Sequence, residues 1–124
     1  MKLQSKLALA VLSLGLFSTN AIAARLPAEI YKPADAEVVK ADRQGDGEFE
    51  AEFRLKGDKK DIRRLAKRTI EHAQRHGFHV TEKELDDGDA DLKFKRGDQE
   101  LDVSIELKDH GRIEYKADLD MDRN

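Results

Sequence analysis

Gly57-Asp58-Lys59-Lys60-Asp61-Ile62-Arg63-Arg64-Leu65-Ala66-Lys67-Arg68-Thr69-Ile70-Glu71-His72-Ala73-Gln74-Arg75-His76-Gly77 is the stretch on which the fold turns. Its apolar positions Ile62, Leu65, Ala66, Thr69, Ile70 and Ala73 recur at intervals of three and four, so on a helix they make one stripe. Asp58 is a favourable N-cap, and Asp61, three residues on, stands where a capping box carries its acid. Gly77 is the natural C-terminal stop. The spacing predicts a helix over 58–76.

On either side of that helix the apolar period changes to two. Before it, Phe49, Ala51, Phe53 and Leu55 alternate with Glu48, Glu50, Glu52 and Arg54. After it, Phe78 and Val80 lead a polar run to Leu85, and Leu92 and Phe94 alternate with Lys93 and Lys95. Leu101, Val103, Ile105 and Leu107 come next, and then Ile113, Tyr115, Ala117 and Leu119, with turns at Asp87-Gly88, Gly97-Asp98 and His110-Gly111. Alternation over such lengths marks strands with one buried and one wet face. Short turns between them imply antiparallel hairpins.

One helix and a run of one-faced strands give an α+β two-layer sandwich, the helix lying on a curved antiparallel sheet whose other face is charged and wet. The order β-α-β-β-β-β across 47–119 resembles that of cystatin and monellin, in which a sheet grips one helix. The glycine-bounded Gln-x-Val-x-Gly loop with which cystatins wedge into proteases is absent from this sequence, so inhibition does not follow from the resemblance.

The N-terminal segment reads as an address. Lys2 and Lys6 precede an uncharged Leu/Ala/Val-rich run from Leu7 to Phe17, and Ala21-Ile22-Ala23 supplies a small-x-small cleavage pattern. The run is too short for a membrane span, which takes roughly 20 apolar residues. We therefore read 1–23 as a cleavable secretory signal peptide and expect a periplasmic or secreted protein with no membrane span. There is no cysteine, so no lipoprotein-type anchor and no disulfide is expected. The mature chain, at about 100 residues, suffices for one domain. We divide it into an extended N-terminal arm at 24–46, which holds Pro27 and Pro33 and an edge strand from Ala36 to Ala41, the α+β domain at 47–119, and a fraying acidic tail at 120–124. The whole chain carries a net charge of −3, and loss of Lys2 and Lys6 makes the remainder more acidic. That sign argues against general nucleic-acid binding.

Most site chemistries lack their residues. Ser104 is the one serine beyond the signal and falls on the wet face of a strand, with no base implied near it. Carboxylates are abundant, but sugar sites also want aromatic platforms, and there is no tryptophan, few aromatics remain beyond the signal, and core packing on the inward face explains Phe49, Phe53, Phe78, Phe94 and Tyr115. No catalytic residue and no cofactor is expected. His72 and His76 stand four apart on one helical side, the spacing of zinc helices, but Ala73-Gln74-Arg75 between them is not the His-Glu-x-x-His motif. With acidic turns such as Asp86-Asp87-Gly88-Asp89, they support divalent-metal binding or buffering as an alternative function. The stretch from Asp42 departs from a calcium loop, having Phe53 at its twelfth position.

The helix's outer side is the feature to follow. Lys60, Arg63, Arg64, Lys67, Arg68 and Arg75 spread opposite the apolar stripe, with Glu71 placed to pair with Lys67 and Arg75. Cations crowd the N-terminal half, where the helix dipole disfavours them by about 0.3–1 kcal/mol each. In an acidic protein this points to a small non-enzymatic binding module that engages an anionic partner through those six residues. An exposed sheet edge offers a second contact, by which two copies could pair into a homodimer.

Overall fold

The computed structural model describes residues 26–43 and 47–120. The signal reading at 1–23 and the last four residues of the tail lie outside them. In chain order the elements are β1 (Glu37–Arg43), β2 (Glu48–Lys56), α1 (Lys59–Arg75), β3 (His79–Leu85), β4 (Asp89–Arg96), β5 (Gln99–Lys108), a short 3-10 turn (Asp109–Gly111) and β6 (Arg112–Asp120). The expected α+β sandwich is what forms: one helix on one antiparallel sheet of six strands, in the order β1-β2-β6-β5-β4-β3. No helix among the described residues is long and apolar enough to cross a membrane.

The local signals act as their chemistry requires. Asp58 caps α1 by accepting from the Lys60 N–H at 3.0 Å, while the Asp61 carboxylate accepts from the Asp58 N–H at 2.8 Å. Beyond the helix Gly77 takes φ 88, a left-handed conformation in which an added Cβ would also lie 3.1 Å from Arg96. The inward residues of β2, β4, β5 and β6 join Ile62, Leu65, Ala66 and Ala73 in one buried cluster. Phe53, Ile105 and Tyr115 therefore lie on the helix side of the sheet.

One helix does not cover this sheet. Six strands about 4.8 Å apart span roughly 24 Å, whereas a helix with its side chains is about 10 Å across. Helix α1 lies over β3, β4 and β5. The other half is roofed by residues 26–36, where the sequence reading needs correction. This arm is not extended but folds into two turns, Ile30 N–H to Pro27 carbonyl at 3.1 Å and Ala36 N–H to Pro33 carbonyl at 3.2 Å. Ile30, Pro33 and Ala36 are buried by it. Tyr31 meets Tyr115 edge-on at 6.3 Å, and the Arg96 guanidinium binds the Glu29 carboxylate at 3.1 Å.

Of the fraying acidic tail expected at 120–124, Asp120 alone lies among the described residues. Asp118 and Asp120 share a strand face. Both belong to β6, which is hydrogen-bonded to β2 on one side and β5 on the other. Two backbone ladders and the buried Ala117 and Leu119 hold the acids in place. Both sheet edges, β1 and β3, carry register shifts, at Val38/Lys40 and Val80/Glu82. Bulges of this kind blunt edge-to-edge pairing.

Candidate functional site

Where the arm, the helix and the end of β2 fail to close completely, a groove of roughly 820 Å³ opens. Leu65 and Leu55 contribute apolar surface from the helix and β2, and Tyr31, Pro33 and Ala34 do so from the arm. Arg64 and Arg68 stand on the helical wall, and Arg54, Lys56 and Arg112 on the strand wall, with His110 at the hairpin end and Asp35 and Glu37 on the arm. Five permanent cations thus meet two acids around an apolar floor.

The groove's cations are brought together by register. Lys56 lies directly opposite Arg112 across the β2–β6 ladder. Like charges facing each other on neighbouring strands cost stability, and Glu114, opposite Arg54, is the carboxylate that the register places nearest to them on β6. Among the described residues, Arg54, Lys56, Arg68 and Arg112 form no ion pair. The hairpin that carries Arg112 is fixed to the helix entry by a hydrogen bond from the Gly57 N–H to the Gly111 carbonyl at 2.9 Å. At its tip His110 adopts φ 63 and Gly111 φ 66.

The six basic helix residues singled out from sequence do not form one site. Arg64 and Arg68 line the groove. Lys60, Arg63, Lys67 and Arg75 are exposed elsewhere on the helix and line neither groove nor cleft. The dipole penalty is offset, since Asp58 and Asp61 occupy the helix entry and Arg64 pairs with Asp61. The expected pairs of Glu71 with Lys67 and Arg75 are absent among the described residues. All three side chains are exposed, and a surface pair returns too little energy to fix long rotamers. Arg54, Lys56 and Arg112 escaped the sequence reading because each looks like an ordinary outward strand residue. Only the pairing of β2 with β6 puts them beside one another.

The histidines are engaged in structure. The ring of His72 lies 4.5 Å from that of His76 and 5.6 Å from that of Tyr31. His72 Nε2 donates to the Ala28 carbonyl at 2.8 Å and His76 Nδ1 to the His72 carbonyl at 2.9 Å. Each ring spends one nitrogen on a main-chain oxygen, and His72 helps to seat the arm. Among the described residues no three His, Cys, Asp or Glu side chains gather as a metal-holding group.

Away from the groove the outward face of the sheet is acidic. One row across five strands reads Glu82, Lys93, Asp102, Asp118, Glu50, and the next reads Glu84, Asp91, Ser104, Lys116, Glu52. Burial raises the Asp102 carboxyl above its usual range, and Glu100 and Glu82 add to this against the pull of Lys93. Ser104 sits among these charges, in the shallow cleft that they line. Arg54, Lys56 and Arg112 share the outward parity of these rows and stand at their groove end, so the charge of the sheet runs from acidic to basic along β2 and β6 and presents a directional field to an approaching anion. No protein-family model matches the chain, and the search of curated proteins likewise finds no match.

Proposed function

We propose that this protein is a small exported, non-enzymatic binding module, periplasmic or secreted, that holds an anionic partner in the groove between its N-terminal arm, helix α1 and the ends of β2 and β6. The observation that carries this reading is the face-to-face placement of Lys56 and Arg112, without a carboxylate partner among the described residues, beside Arg54, Arg64 and Arg68. An acidic chain would not gather cations at a local cost in stability unless something negative repaid it. Arginine predominates, and its planar fork suits carboxylate and phosphate oxygens. We read the groove's chemistry as that of holding, since cationic and apolar side chains make up most of its lining. Export follows from the Met1–Ala23 pattern, and we read the element order as cystatin- and monellin-like without the inhibitory loop. Edge pairing is a weaker basis for association, since both edge strands are bulged.

The test is retention on immobilised polyglutamate at moderate salt. Arg68→Glu with Arg112→Glu should abolish retention while the melting temperature changes little, because both side chains are exposed. Undiminished retention by the double variant would sink the proposal.

A further inference from the structure

We infer that the groove takes a small amphiphile, an oxoanion (carboxylate or phosphate) joined to an apolar body, as a single dissolved molecule; the inference rests on the anionic-partner reading above. Three features of the site select this class. The first is shape. The opening is concave and roughly 820 Å³ in volume, within the range of about 300–1,000 Å³ common for small-molecule sites. A protein partner is met by a broad surface patch of about 800 Å² per side instead. The second is the lining. A site for a bare anion or a polyanion would need only charge, but here Tyr31, Leu55 and Leu65 offer apolar surface between the two cationic walls. A ligand without an apolar body would leave that surface wet. The third is the placing of charge. Arg68 on the helix and Arg112 on β6 both line the groove, so an oxoanion held there has a guanidinium donor on each element and an apolar floor for its body.

The groove is also held open by structure that is not itself part of it. The arm wall is tied down through Arg96 to Glu29 at 3.1 Å and through His72 to the Ala28 carbonyl at 2.8 Å. The hairpin wall is tied to the helix entry through Gly57 and Gly111. A site whose walls are fixed before binding loses less affinity to ordering.

The experiment is calorimetric titration of the full protein with three probes: n-octyl phosphate, inorganic phosphate (the head alone) and n-octyl glucoside (the same chain on an uncharged head). Octyl phosphate is expected to bind at least ten-fold more tightly than either control and to raise the melting temperature. Arg68→Glu with Arg112→Glu should weaken it at least ten-fold. Ala34→Glu, an exposed position on the arm wall whose replacement leaves the core untouched, should weaken it comparably and covers the case in which the double variant folds poorly. Lys60→Glu with Lys67→Glu, exposed helix positions outside the groove, should leave binding unchanged. Equal binding of octyl glucoside or of inorganic phosphate overturns the inference, as does equal sensitivity to the Lys60 and Lys67 changes. Absence of octyl phosphate binding at millimolar concentration overturns it too. Retention on polyglutamate that still depends on Arg68 and Arg112 would, in that event, leave the anionic-partner reading standing without it.

Discussion

The Thr69 hydroxyl on the helix and the Tyr115 hydroxyl on β6 lie 2.7 Å apart inside the core, where Tyr115 has no solvent-exposed surface and Thr69 almost none. Thr69 is the only polar residue on the buried stripe, and this contact explains it: it satisfies the phenol of the largest side chain in the interior. Thr69→Val keeps the shape but leaves the Tyr115 hydroxyl without a partner, which should cost about 1–3 kcal/mol. Tyr115→Phe should cost less, because a helical threonine can turn its hydroxyl to a carbonyl of the preceding turn. The double variant should be no less stable than Thr69→Val alone. Urea denaturation of the four proteins closes the cycle, and additive losses would show that the pair is not coupled.

The same burial makes the fold sensitive to alkali. Desolvation raises the Tyr115 phenol far above its ordinary value, opposed only in part by the Thr69 hydrogen bond. Folded Tyr115 therefore keeps its proton when the unfolded chain has lost it. Its contribution is intact below pH 10 and declines as pH rises above that value, by about 1.4 kcal/mol per unit. Tyr115→Phe should remove this slope. Denaturation midpoints at pH 9, 10 and 11 give the comparison, and parallel curves for the two proteins would contradict it.

How much of this was legible beforehand differs between layers. The Asp58/Asp61 box, the Gly77 stop and the inward sets on β2, β4, β5 and β6 follow from local chemistry, so sequence spacing reveals them. The roof over β1, β2 and β6 does not. Ile30, Pro33 and Ala36 have no period to betray burial, and their role depends on the helix being too narrow for six strands. For the groove, Arg64 and Arg68 were visible as a basic helix side, because helical spacing is local. Arg54, Lys56 and Arg112 became neighbours only when residues more than fifty positions apart came into register. A sequence pattern carries the period of an element, not the identity of its neighbour.

Arg96 should prove to be the clasp of the arm. Its guanidinium donates to the His76 carbonyl at 2.7 Å and to Glu29 at 3.1 Å, and stacks 4.4 Å over Phe78. It therefore joins the helix C-terminus, the arm and β4. Arg96→Gln should speed amide hydrogen exchange at Ile30 and Ala36 by ten-fold or more, while exchange in β5 and β6 changes little. Equal effects on the arm and the central strands would refute the assignment.

Acid should loosen the same clasp. Burial alone would raise the Glu29 carboxyl, but its own backbone N–H and the Arg96 guanidinium outweigh that and hold it below the usual range. The stabilisation is present above the unfolded value of about 4.3 and is lost as pH falls through the lower folded value. Arm exchange should accelerate below about pH 4 in the native protein and be flat with pH in Glu29→Gln once intrinsic exchange is corrected for. Acid acceleration that persists in Glu29→Gln would place the titrating group elsewhere.

The acidic sheet face should carry a removable cost. Asp102 and Asp118 stand directly opposite each other on β5 and β6, with Glu50 beyond Asp118 and Lys93 beyond Asp102. Like charges on facing strand positions destabilise, and exchanging one for its opposite is worth roughly 0.2–1 kcal/mol. Asp102 is the residue to change, because its carboxyl is raised by burial and by Glu100 and Glu82. A raised carboxyl resists ionisation in the folded state, so its unfavourable contribution sets in as pH rises past the unfolded value, is complete above the folded value and is fully present at pH 7. Asp102→Asn should therefore stabilise the protein at pH 7 by a few tenths of a kcal/mol, and the advantage should vanish near pH 3. High salt should shrink it at pH 7, since exposed charges are screened. Chemical denaturation at pH 3 and 7, in 0.05 and 1 M sodium chloride, tests all three statements. A stabilisation independent of both pH and salt would mean that asparagine acts there through packing or hydrogen bonding instead of through relief of charge.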